Sequence, residues 1–259
     1  MRNTLSLTLA LALMLPCPTS TAQAPPDRQR PPDGGTRGVL VSILIPSLPG
    51  APFAATVNTE WVQQLGDGTS ITLKNHRAIA RDTAGRIFQE RRLLVPDDGK
   101  RESILTQIEI SDPVGHQLFI CVPSAHLCQV QEYSAPHFAP PITAATAANR
   151  PGAPSREDLG QQSIAGLEVA GTLETDVIES GAIGNDRPML VKREFWYSPQ
   201  LGVNLLSKRE DPRFGSQTFE LSDIVLGEPD AKLFRMPAGS KLIDLRNAAQ
   251  TPSPTAPSN

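Results

Sequence analysis

The sequence is short of almost everything from which an enzyme site, a nucleic-acid surface or a membrane span is built. It has no Gly-x-Ser-x-Gly elbow for a serine nucleophile, no Walker loop and no Gly-x-Gly-x-x-Gly turn. Its four histidines, His76, His116, His126 and His137, sit in separate segments without the i, i+4 spacing of a zinc-binding helix, so neither metal nor cofactor is expected. The 24 Lys and Arg are interspersed with 27 Asp and Glu, leaving a net charge of −3. No basic stripe is present to neutralise phosphates, which excludes a nucleic-acid partner. Beyond residue 22 no apolar run nears the roughly 20 residues needed to cross a bilayer. The run Val39–Ile45 is too short for that and reads as a buried strand. Aromatics make up only 5%, whereas 25 prolines and 19 glycines mark many turns and some unstructured chain.

What is present begins with an export signal. Arg2 supplies a positive start, an apolar stretch runs from Leu5 to Leu15, and small residues follow Pro16. Ser20 and Ala22 satisfy the small-x-small rule, so cleavage is expected between Ala22 and Gln23, delivering the chain to the periplasm or the exterior. Acylation at Cys17 is the alternative, but Met14-Leu15-Pro16 lacks the small residue that precedes a lipobox cysteine. Residues 23–37 and 247–259 are Pro-rich or Thr/Pro/Ser/Ala-rich tracts, unable to bury enough apolar surface to offset their ordering entropy. A similar Pro/Ala-rich insertion, 134–155, interrupts what otherwise reads as one β-rich domain over 38–246.

Inside that domain the periodicity is two. Phe53, Ala55, Val57, Thr59 and Trp61 share one face of a strand, and Ile71 and Leu73 resume that face after a turn. Further strands follow at Arg86–Leu94, at Ile104–Ile110 and in a hairpin of His116–Val122 with Leu127–Tyr133. Beyond the insertion come Leu167–Val177, a strand presenting Met189, Val191, Phe195 and Tyr197 on one face, Val203–Arg209 and Ser216–Val225. Pro229–Phe234 reads as a single helical turn. Regularly spaced strands with turn residues between them predict a mainly β protein: a curved antiparallel sheet or half-open β-barrel with few short helices and an inner face of low polarity.

Few residues stand out as sites. Cys121 and Cys128 are the cysteines left after cleavage, and an oxidising compartment favours pairing. Pairing them sets Phe119 beside Val130 and Val122 beside Leu127, a register that keeps apolar residues together. Free thiols are one alternative. A metal is another, recruiting His116 and His126, but His116 is five residues from Cys121 and falls on the opposite strand face. The charged stretch 207–215 and the Gly-rich segment 181–188 read as turns, with partner binding as the alternative use of each. Asp97-Asp98 reads as solvated turn chemistry.

Several phrases resemble a group of uncharacterised exported bacterial β-proteins: Ile183-Gly184-Asn185-Asp186-Arg187-Pro188, Trp196-Tyr197-Ser198-Pro199 and Asp211-Pro212-Arg213-Phe214-Gly215. More distantly, the strand meander, the Tyr-Ser-Pro turn and the closing Leu233-Phe234-x-x-Pro237-x-Gly239 resemble the LolA/LolB type of lipoprotein carrier. That resemblance implies a half-open barrel whose concave side holds a lipid or a lipoprotein acyl chain. It departs from the family in lacking obvious covering helices and in carrying the cysteine pair. The expected function is therefore a non-enzymatic envelope binder of a hydrophobic ligand, with a regulatory module that touches another envelope protein as the alternative.

Overall fold

The computed structural model describes residues 43–134 and 154–246. The export signal, Cys17, the Ala22–Gln23 junction and most of the 134–155 insertion lie outside them. Thirteen strands form one sheet: β1 Phe53–Gln64, β2 Ser70–Arg81, β3 Ile87–Arg92, β4 Val95–Pro96, β5 Leu105–Asp112, β6 Gln117–Val122, β7 Leu127–Glu132, β8 Ser155–Ile164, β9 Leu167–Ile178, β10 Met189–Ser198, β11 Val203–Asp211, β12 Gly215–Leu226 and β13 Lys241–Asp244. The spatial order is β13-β7-β6-β5-β3-β2-β1-β12-β11-β10-β9-β8, with β4 paired to β2 off this path. Two meanders, β1–β7 and β8–β12, are thus joined by the pairing of β1 with β12, and β8 and β13 are left as the two edges of an unclosed sheet. The expected antiparallel pattern holds except at β13, which runs parallel to β7.

The alternation read on β1 is that of the structure, with Phe53, Ala55, Val57 and Thr59 all buried on one side, here the inner face. Register carries this face to Ile79 and Arg77 of β2, to Leu221 and Phe219 of β12, and to Ser207 and Arg209 of β11, and Val203 and Leu205 of β11 pack in the same core. At one end of the sheet it is a closed apolar core, completed by Ile43, Ile45 and the turn residue Leu201. Ile43–Ile45 is not a strand, contrary to the expectation for that run. Ile43 and Ile45 insert into the core while Leu44 points out, so burial is met without a ladder.

Arg81 shows how strongly the sheet bends. It lies on β2, and its Nη2 donates to the carbonyl of Leu201, in the turn before β11, at 2.6 Å. Three strand intervals separate β2 from β11, roughly 14 Å in a flat sheet, farther than a guanidinium reaches. That end is therefore drawn together around the core. The same guanidinium donates to the carbonyls of Pro46 and Ala51, pinning the entering segment.

A second core lies on the opposite, outer face. Ala80, Phe88 and Ile110 are covered there by Phe234, from the 3-10 turn Ala231–Phe234 that was read as one helical turn. The chain after β12 crosses the outside as a strap and then pairs as β13 with β7.

Three further differences have local causes. β8 is absent from the strand pattern because it is an edge strand in which only Leu159 and Ile164 are even half-buried, so no apolar alternation marks it. Opposite the Trp196–Tyr197 step of β10, β11 carries one extra residue, Leu205, and the face expected for β10 is not the core face there: Tyr197 is exposed, and Trp196 packs on the core instead. Ile104 precedes β5 and is exposed, whereas Ile110 is buried.

Candidate functional site

Beyond Val57 the inner face changes character. The next positions on β2, β1, β12 and β11 are Arg77, Asn75, Thr59, Gln217, Ser207 and Arg209, all buried. The ladder sets them side by side: Arg77 opposite Val57, Asn75 opposite Thr59, and Gln217 opposite both Trp61 and Arg209. Arg91 of β3 extends the row, and its Nη2 donates to Glu109 at 2.6 Å. The inner face is therefore apolar only at its closed end and polar beyond it, which corrects the expectation of low polarity throughout.

Buried polar atoms are normally hydrogen-bonded, about nine times in ten. Here Thr59 Oγ1, Asn75 Oδ1, Arg91 Nε and Nη1, Arg209 Nε and Gln217 Oε1 are buried without a partner. Asn75 Nδ2 donates to the Arg92 carbonyl at 2.8 Å, which assigns Oδ1 as its free end. All five residues lie on the inner face of five consecutive strands, β3-β2-β1-β12-β11. These side chains are guanidinium, carboxamide and hydroxyl groups. The row offers these donors and acceptors to a ligand.

The row ends in a self-contained ion cluster. Burial pushes the Asp211 carboxyl up, but hydrogen bonds from the Arg213 side chain and backbone, and from Arg209, outweigh it and hold the group at about 2. Trp61 Nε1 donates to the Phe214 carbonyl at 2.7 Å, tying the same turn to β1. The charged stretch 207–215 is thus the salt-laced hairpin read from its residues. In the segment 181–188, Asn185 donates to the carbonyls of Glu179 and Arg187 and shapes the turn from within.

A cleft of about 470 Å³ opens among Asn58, Glu60, Lys74, Asp97 and Arg101. Lys74 bridges Glu60 at 3.0 Å and Asp97 at 2.8 Å, and those two carboxylates raise its pKa. All three side chains are almost half exposed, so solvent screens the cluster. Asp97 thus pairs with Lys74 in a solvated network, and Thr59 and Asn75 of the buried row also line this cleft.

Cys121 and Cys128 lie opposite each other in the β6–β7 hairpin and form a disulfide, with Phe119 beside Val130 and Val122 beside Leu127. His116 is a turn residue at φ 52° just before β6, and His126 sits in the intervening turn at φ 48°. No group of three His, Cys, Asp or Glu residues is placed to hold a metal among the described residues.

The row of buried polar residues was missed in the sequence, though a trace of it was there. Arg77 and Arg81 share the parity of Ile79, and Arg209 and Asp211 that of Val203 and Leu205. Charges at apolar positions signal either an error of register or a buried polar site.

No family model matches the chain, and no curated protein does. Solved structures are similar in fold. A chain of the Pseudomonas aeruginosa MucA/MucB complex is 13% identical with a TM-score of 0.39, over 74% of this chain and 58% of that one. The chain thus spans less than two thirds of that protein's length. The Mycobacterium tuberculosis lipoprotein LppX is 12% identical with a TM-score of 0.27, over 70% and 87% of the two chains. A LolA superfamily protein from Nitrosomonas europaea is 14% identical with a TM-score of 0.28, over 73% and 91%. The likeness to the LolA type is distant, and it is one of fold.

Proposed function

We propose that the protein is an exported, non-enzymatic binder that holds a lipid-like ligand on the inner face of its curved sheet. The observation that carries this reading is the continuity of that face, from the apolar residues Val57, Leu205 and Phe219 into the buried polar row Asn75, Thr59, Gln217 and Arg209. An apolar chain fits the first part and a polar group the second. Residues 38–246 act as one domain in this reading, and the leader is cut between Ala22 and Gln23. Lipid co-purifying with the secreted protein, identified by mass spectrometry, is the expected result. Protein that emerges empty and takes up no apolar dye overturns the reading.

A second reading, docking to another envelope protein, is favoured by one feature. Ile183 is 57% exposed at the tip of a turn that Asn185 holds in shape. Site-specific cross-linking from position 183 in intact cells tests it, with one protein adduct expected.

A further inference from the structure

We infer that the cleft beside Lys74 is a second site, one that binds a neutral saccharide, either a free sugar or the end of a longer glycan. Its ligand differs in class from the one proposed for the inner face.

The ladder lays out its floor. Glu220, Asn58 and His76 lie side by side across β12, β1 and β2, and Thr218, Glu60 and Lys74 form the next row on the same side. Two strand intervals by two residues give a floor of roughly 10 Å by 7 Å. Pairing of β2 with β3 stops at Ile79–Gln89, and pairing with β4 takes over at Lys74–Val95. From there Pro96, Asp97, Gly99, Arg101 and Ser103 form one wall. The space of about 470 Å³ is within the range of small-ligand sites.

Unspent hydrogen-bonding capacity selects the ligand. Lys74 bridges one oxygen of Glu60 and one of Asp97, leaving the other oxygen of each to accept. Asn58 Nδ2 donates to Ser222 Oγ at 2.8 Å, which leaves Asn58 Oδ1. Among the described residues neither Glu220 nor Arg101 has a hydrogen bond or ion pair. Thr59 and Asn75 also line the cleft, and their Oγ1 and Oδ1 are without a partner. Acceptors therefore predominate, with Arg101 and the Thr218 hydroxyl as donors. A sugar hydroxyl donates one hydrogen bond and accepts two, which suits such a mixture. Charge points the same way. The carboxylates of Glu60, Asp97 and Glu220 stand against the cations Lys74 and Arg101, so an ion of either sign gains little. Val95 and Pro96 give the C–H face of a sugar ring an apolar contact.

Amide NMR shifts of the isotope-labelled secreted protein test the assignment. The probes are glucose, galactose, mannose and N-acetylglucosamine, each free and as a trisaccharide, with spermidine and glutamate as ionic controls. At least one sugar should shift the amides of Asn58, Glu60, Lys74, His76, Thr218 and Glu220 saturably, with a Kd of about 1 mM or tighter. Glu220→Ala and Arg101→Ala remove exposed side chains that hold no bond of the fold. Each should weaken the sugar about tenfold, the scale of one hydrogen bond to a charged group. A sugar bound alike in both forms supports a free sugar as the ligand, and one bound only as a trisaccharide supports a glycan end. Spermidine or glutamate binding in place of every sugar overturns the neutral class. Absence of any sugar-induced shift, or saturable shifts that both variants leave unchanged, overturns the site. The inner-face ligand is read separately, by co-purified lipid.

Discussion

A single carboxylate shows how much of this protein depends on buried charge. Asp211 is 1% exposed at its side chain and titrates at about 2 in the folded chain, against 3.8 for a free aspartate. A carboxyl whose folded value is depressed contributes stability above its unfolded value and loses it as the pH falls through the folded one. Between pH 5 and pH 2.5 that loss is about 1.5 kcal/mol. The unfolding free energy from urea titrations at the two pH values should therefore fall further for the natural chain than for Asp211→Asn, by about that amount. An equal fall in both would mean that Asp211 carries no such linkage. Among the described residues Arg81 donates to three backbone carbonyls and lies over the Phe53 ring at 5.0 Å, and burial lowers its pKa to about 10. Neither role could be read from the residues. Both side chains sit at apolar parity, and only the partners that fold over them explain why they are tolerated there.

At the scale of the element, the β11–β12 hairpin is fastened to β1 through Gly215. Its φ is 86°, and a Cβ added there would lie 2.1 Å from the Val62 carbonyl oxygen. Gly215→Ala therefore meets both a conformational and a steric penalty. It should destabilise the fold by about 2–3 kcal/mol, read by thermal or urea unfolding. Loss of the Trp61–Phe214 bond should appear as a shift in indole fluorescence. Strand legibility followed burial. β1, β9, β11 and the β6–β7 register were legible because their apolar residues recur at a period of two, and the disulfide pairing rested on the expected oxidising compartment, with which that register agrees. β8 was not legible because an edge strand satisfies only its ladder. β13 was not legible because four residues, none of them buried, carry no period.

For the molecule as a whole, the sheet is covered on both sides by different means. The inner core is closed by Ile43, Ile45 and Leu201, and the outer one by the strap that brings Phe234 onto Phe88 and Ile110. Phe234→Ala should cost about 3 kcal/mol of stability by equilibrium unfolding. It should leave uptake of an apolar dye unchanged, because the strap and the polar row lie on opposite faces. A parallel loss of binding would show that the two faces are coupled.

The sequence by itself determined the β class, most strand positions, the cysteine register and the want of an enzyme motif, because each depends on neighbours along the chain or directly across a hairpin. It also carried an export signal as an expectation. Only the tertiary structure decided that β1 joins β12, that the sheet bends far enough for Arg81 to reach Leu201, and that the inner face turns from apolar to polar midway. Those features depend on residues about 120–170 positions apart. No local period encodes which distant strand a buried arginine will face.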